Sequence, residues 1–272
     1  MSGVNGWPSQ SRINICGKSI EIACYGAPPD KATTLVLLHE GLGSAELWRD
    51  IPDRLARQTG MGVLVYSRAG YGQSDPVELP RPLDYMTQEA TEVLPQLLDT
   101  VGIQRTVLVG HSDGATIAAI YTGTVIDFRV RGLVLIAPHF FTESVALTEI
   151  ARARVNYESG DLRQRMAKYH RHPDIAFYGW NDSWLHADFK AWDVTEVIDY
   201  IRVPVLAVQG RDDQYGTLAQ IDELESRCYA PVDVLIVDNC GHAPHLEHSD
   251  QVVTGIEEFC HRLQQIESAS AS

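Results

Sequence analysis

The stretch Thr106-Val107-Leu108-Val109-Gly110-His111-Ser112-Asp113-Gly114-Ala115 decides the architecture. Its first four residues form a Leu-rich and β-branched run, the kind that makes a strand buried on both faces. Residues 115–124 then place apolar side chains three and four apart, as a helix does. Ser112 lies between the two, with a glycine two positions away on either side. A tight strand-to-helix turn holds such a serine with its hydroxyl clear of the sheet, and side chains at Gly110 and Gly114 would clash with the adjoining strand and helix. The five letters G-x-S-x-G are weak alone, and the strand before and helix after make them specific.

The same strand signature recurs at 19–25, 33–39, 62–66, 132–137, 204–209 and 233–237. Helix-like spacing fills 45–58, 85–101, 218–229 and 251–265. Strand and helix alternate from Thr33 onwards, which predicts an α/β fold: a mainly parallel sheet flanked by helices. The segment from Arg12 to Tyr25, with Gly17 and Lys18 in its middle, reads as an antiparallel hairpin at one edge. The alternation breaks between Pro138 and Arg202, where helical stretches at 145–157 and 161–170 precede a run rich in Trp and Phe. This predicts a helical cap inserted between strands 6 and 7, over the carboxyl ends of the strands, where open α/β sheets place ligands. The expected organisation is a core of residues 1–138 and 202–272 with a cap of residues 139–201.

The chain has 272 residues, 22 Lys and Arg against 36 Asp and Glu, and a net charge of −14. No basic surface is available to displace counterions from phosphates, so nucleic acid is set aside as a partner. No apolar run reaches the ~18 residues of a membrane span, and Met1 to Gln10 has neither the basic nor the apolar part of a secretion signal. The expected location is the cytoplasm, with no membrane association. Five scattered cysteines without a C-x-x-C pair read as reduced thiols. Neither a cofactor nor a metal is expected.

A serine hydroxyl needs a base within hydrogen-bond reach, itself oriented by a carboxylate. Two strand ends supply candidates. Strand 204–209 runs into Gly210-Arg211-Asp212-Asp213, and strand 233–237 runs towards Cys240-Gly241-His242-Ala243-Pro244-His245. Attack on a carbonyl also calls for fixed N–H donors to meet the oxyanion, and a loop able to supply one follows strand 33–39 as His39-Glu40-Gly41-Leu42-Gly43-Ser44.

The order Ser112, Asp, His resembles that of capped α/β-hydrolases, and the resemblance covers nearly the whole chain. It implies the α/β-hydrolase fold and a serine hydrolase of the esterase type. The family's G-x-x-D pattern selects Asp213 over Asp212, and its G-H pattern selects His242 over His245 and His248. Its H-G-x-x-G-S loop, similar to residues 39–44, assigns the oxyanion donors to the backbone N–H groups of Gly41 and Asp113. Glu40 departs from that loop, where glycine is usual, and is expected either to brace the loop or to shape the pocket. Ser67-Arg68-Ala69-Gly70-Tyr71-Gly72-Gln73-Ser74 resembles the family's D-R-x-G-x-G-x-S loop with Ser67 replacing the acid, and is given a scaffold role.

The expected substrate is a carboxylic ester with a small hydrophobic or aromatic acyl group, met by Glu40, Leu42, His139, Phe140, Trp180 and Trp184. Arginines 152, 154, 163 and 165 with Lys168 and Arg171 are a locally basic stretch. They are expected either to pair with nearby acids or to hold an anionic tail, and the latter would favour an acyl-CoA thioesterase or a C–C bond hydrolase of the meta-cleavage type. A ligand receptor with weak turnover is the alternative from another class. A homodimer is compatible with all of these.

Overall fold

The computed structural model describes Trp7 and residues 10–270. Eight strands, β1 (Gln10–Ile15), β2 (Lys18–Gly26), β3 (Thr34–Leu38), β4 (Gly62–Tyr66), β5 (Thr106–His111), β6 (Val130–Ile136), β7 (Val205–Gly210) and β8 (Val232–Val237), form one sheet. The spatial order is β1-β2-β4-β3-β5-β6-β7-β8. β1 and β2 are antiparallel to their neighbours, and β4, β3, β5, β6, β7 and β8 run parallel. The hairpin turn falls one residue earlier than expected, on Cys16 and Gly17, both with positive φ as a two-residue turn requires.

Every residue of β3, β4, β5 and β7 is buried, because helices cover both faces. The pleat sends alternate side chains to opposite faces. Leu35 and Leu37 therefore join one core with Trp48, Leu55 and Phe259, while Val36 and Leu38 join the other with Leu94, Ile117 and Tyr121. The first face is covered by α1 (Ile51–Thr59) and α10 (Ser249–Ser270). On the second lie α2 (Tyr85–Gln88), which continues through a π turn (Glu89–Val93) into α3 (Leu94–Val101), and α4 (Asp113–Thr124). Residues 113–121 of α4 are all buried, as expected of a helix that is apolar nearly all round.

Between β6 and β7 the chain leaves the sheet and forms α5 (Ser144–Ser159), α6 (Leu162–Met166) and α7 (Pro173–Trp184), then two 3-10 turns (Ala187–Ala191, Thr195–Tyr200). Its two ends are strapped together by a bridge between Phe141 and Asp193 and by Val194 N–H donating to Phe140 O at 2.7 Å. α6 is shorter than the expected 161–170, and α7 was not anticipated. Pro173 accounts for where α7 begins: its ring keeps His172 out of the helical region (φ −129°, ψ 72°), and it sits at the first turn of α7 where its missing N–H costs nothing. The remaining helices, α8 (Ala219–Arg227) and α9 (Pro244–Glu247), connect β7 to β8 and β8 to α10. Among the described residues, no helix is long and apolar enough to cross a membrane.

Candidate active site

β5 ends at His111, α4 begins at Asp113, and Ser112 between them has φ 53° and ψ −119°. That conformation is uncommon for a side chain with a Cβ and is held by the surroundings. The glycines show how tight they are: a Cβ on Gly110 would lie 2.3 Å from Gly114 O, and one on Gly114 would lie 2.0 Å from Leu38 O. Both obstacles are backbone, so neither position accepts even alanine without shifting a strand. Ser112 N–H donates to Ile136 O at 2.8 Å, which fixes the turn to β6.

Asp213 lies in the loop after β7 and His242 in the loop after β8. His242 Nδ1 donates to Asp213 Oδ2 at 2.8 Å, which fixes the tautomer and leaves Nε2 free to accept a proton. Asp213 also accepts from Gln209 Nε2 at 2.8 Å and from the Tyr215 and Gly216 N–H groups at 2.7 and 3.3 Å. Burial pushes its pKa up, but the hydrogen bond and charge of His242 and the Tyr215 N–H outweigh this, and the net direction is down. Asp212 is exposed, its N–H donating to Cys240 O.

Ser112 and His242 line one cavity of about 130 Å³, together with Glu40, Gly41, Leu42 and Asp113 on the sheet side. Asp113 opens α4, so its N–H is among the first-turn groups without an intrahelical acceptor. The 39–44 loop is held from behind by Arg68, wholly buried, whose guanidinium donates to His39 O at 2.5 Å and Glu40 O at 3.0 Å. His39 completes the clamp: Nδ1 donates to Glu40 O and Nε2 accepts from Arg68 N–H. Burial first, then Arg68, keeps its pKa well below the ordinary histidine value. Gly41 packs so closely under the Trp180 indole that a Cβ there would fall 2.2 Å from Nε1. Ser67 Oγ donates to Glu21 Oε2 and accepts from Ala45 N–H, so it ties the neighbouring loop together.

Glu40 sits where the loop meets the cavity. Its carboxylate folds against Gly43, where a Cβ would meet Oε2 at 2.3 Å, and it also faces the cavity with its side chain 29% exposed. Oε2 lies 3.5 Å from His111 Nδ1. Burial would raise the Glu40 pKa, but the hydrogen bond and charge of His111, with His39, bring it well below the ordinary carboxylate value. His111 Nε2 donates to the backbone O of His242 at 2.7 Å.

The wall contributed by the insertion and neighbouring loops contains His139, Trp180 and Trp184 as expected, plus Ala146, Ile150 and Tyr215, which sequence reasoning missed. Ala146 and Ile150 are four apart on α5 and share a face, a spacing that could have flagged them. Tyr215 follows Asp213 by two residues, and its ring lies 4.8 Å from that of His242. His139 is buried, and burial followed by the charge of His242 lowers its pKa to about 3. Phe140 is corrected: it is wholly buried and does not line the cavity. Gln220 Oε1 holds its backbone N–H at 2.7 Å, and its side chain packs in the core while that of His139 faces the cavity.

Among the expected cap aromatics, Phe177 stacks on Tyr157 and Phe189 on Trp192, so these pack the insertion itself. The basic stretch is largely paired: Arg152 with Glu149, Arg154 with Asp182, Arg163 with Asp174 and Arg165 with Asp161. His245 is buried against Trp48 and His111, while His248 donates from Nε2 to Asn239 O at the surface.

Residues 35–254 match the sequence profile described as the alpha/beta hydrolase family, and the chain belongs to that family. Among curated relatives, a proline iminopeptidase of Lactobacillus helveticus (strain DPC 4571) is 22% identical over 266 residues, covering 83% of this chain and 88% of that protein. Among solved structures, proline iminopeptidase of Mycobacterium smegmatis superposes with a TM-score of 0.74 at 16% identity, covering 95% of this chain and 100% of that one. An esterase from Exiguobacterium antarcticum gives the same TM-score and identity, covering 92% and 98%. At these structural identities the likeness is one of fold, and fold alone leaves the substrate open.

Proposed function

We propose that the protein is a serine hydrolase that cleaves a carboxylic ester of a small hydrophobic or aromatic acyl group through an acyl-enzyme on Ser112. The observation that carries this reading is the oriented pair: His242, tautomer set by Asp213 at 2.8 Å, lines the same cavity as a serine held at positive φ. His242 Nε2 takes the Ser112 proton as Oγ attacks the carbonyl carbon. The N–H groups of Gly41 and Asp113 receive the oxyanion, the alkoxide leaves with the proton from His242, and water then releases the acid by the reverse sequence. Leu42, Ala146, Ile150, Trp180 and Trp184 give the acyl group an apolar wall.

The paired arginines weaken the readings that need an anionic tail. Among the described residues, no lysine or arginine lines the cavity, and an acyl-CoA or a dienoate would meet Glu40 instead. Amide cleavage stands as the second reading because the relatives matched over most of the chain carry the name proline iminopeptidase. The test is intact-protein mass spectrometry after treatment with a small fluorophosphonate, then hydrolysis of p-nitrophenyl esters of graded length, acyl-CoAs and prolyl anilides. One adduct on Ser112 with short-ester turnover is expected. Turnover of prolyl anilides alone would transfer the protein to the amidases, and absence of any adduct would remove the serine mechanism.

A further inference from the structure

We infer that the cavity beside Ser112 selects substrates carrying a protonated amine close to the bond to be cleaved, and that Glu40 is the residue that recognises it. The inference deepens the serine-hydrolase reading and rests on it.

Charge is the first argument. Glu40 lines the cavity while His111, its partner at 3.5 Å, does not, so the pair presents its negative end to a ligand. The two histidines that do line it supply no fixed cation: His242 serves Asp213 through Nδ1, and His139 is held neutral by burial. Among the described residues no lysine or arginine completes the wall.

The wall chemistry is the second argument. Trp180, Trp184 and Tyr215 are the aromatic members of the lining, and faces of this kind attract a desolvated cation, tryptophan most strongly. A carboxylate with aromatic faces and no competing base is the pairing that recognises ammonium groups, whereas a purely apolar acyl pocket needs no ionised carboxylate and is weakened by one. Glu40 also precedes the oxyanion donor Gly41 in the chain. A carboxylate there opposes the charge developing on the carbonyl oxygen, and an ammonium on the substrate relieves that opposition.

The test compares charged and neutral isosteres by pH-stat: ethyl 3-aminopropanoate against ethyl butanoate and monoethyl succinate for an amine on the acyl side, and the 2-(dimethylamino)ethyl ester of butanoic acid against its 3-methylbutyl ester for one on the alcohol side. Wild-type kcat/KM should favour the cation over the neutral isostere by about tenfold or more in at least one series, with the anionic ester poorest. Glu40→Gln should lower that ratio about tenfold, and Glu40→Asp should preserve its direction. A wild-type preference for neutral or anionic esters overturns the inference. So does a Glu40→Gln variant that loses activity on both isosteres in equal proportion, the signature of a loop brace. In either case a fluorophosphonate adduct on Ser112 shows that the hydrolase reading survives; no adduct and no turnover of any ester removes both.

Discussion

The two halves of the site are held in different ways. On the sheet side, backbone fixes the geometry: Gly110 and Gly114 touch main-chain atoms, Ser112 N–H is tied to β6, and Arg68 grips two carbonyls of the 39–44 loop. On the insertion side, side chains do the holding: Trp180 covers Gly41, Trp184 Nε1 donates to Tyr85 Oη at 3.1 Å, and His170 joins two loops. Backbone contact tolerates no added atom, whereas packed side chains can be exchanged at a graded cost. The sheet side is therefore suited to invariant chemistry and the insertion side to substrate choice.

That contrast can be broken by measurement. The largest effect belongs to Ser112→Ala, which should lower ester turnover by about 10⁴-fold or more with an unchanged far-UV spectrum; near-normal turnover would discard the nucleophile. Asp213→Asn should come next, at about 10³- to 10⁴-fold, while exposed Asp212→Asn changes kcat/KM by less than about threefold. Equal losses would mean that the orienting carboxylate is misassigned. Gly114→Ala should destabilise by about 3 kcal/mol or more, since its Cβ meets the Leu38 carbonyl, and a Tm equal to the parent's would refute the backbone account of the elbow.

On the insertion side, Ile150→Ala should cost about 2–4 kcal/mol and shift the preferred p-nitrophenyl ester to a longer acyl chain. An unshifted profile would show that α5 does not set length. The last comparison concerns acid. Burial keeps the pKa of His39, His139, His170 and His245 below the ordinary 6.5. The unfolded chain then binds protons that the folded one refuses, so stability is full above pH 6.5 and declines as pH falls. His139, with its pKa at about 3, accounts for about 2 kcal/mol of loss at pH 5. A Tm that stays level from pH 8 to pH 5 would contradict this.

The same contrast explains what the sequence discloses. Strands buried on both faces need unbroken runs such as Val63-Leu64-Val65-Tyr66, and their ends were legible to within a residue or two. The loops that carry Ser112, Asp213 and His242 were legible because each follows such a run at a glycine-marked turn, while the choice of Asp213 over Asp212 and of His242 over His245 and His248 came from the family resemblance. α7 was not: Ala176, Phe177, Gly179, Trp180, Asn181 and Ser183 are all buried, so it lacks the polar face that gives a helix its periodic signature. Phe140 was misread because adjacent residues of an extended segment point to opposite sides, and only the fold tells which side holds the cavity. Tyr215, Ala146 and Ile150 reach it from elements whose approach no local pattern encodes.

His170 gives the insertion a mechanical property. Its Nε2 donates to Leu42 O at 3.0 Å, its Nδ1 accepts from Gly72 N–H at 3.0 Å, and Arg171 N–H donates to Gly72 O at 2.8 Å. Lifting the chain at this point breaks all three bonds at once and pulls on the residue next to Gly41. The insertion is thus fastened at His170 to the loop that carries Gly41, so any displacement of the chain here is transmitted to that loop.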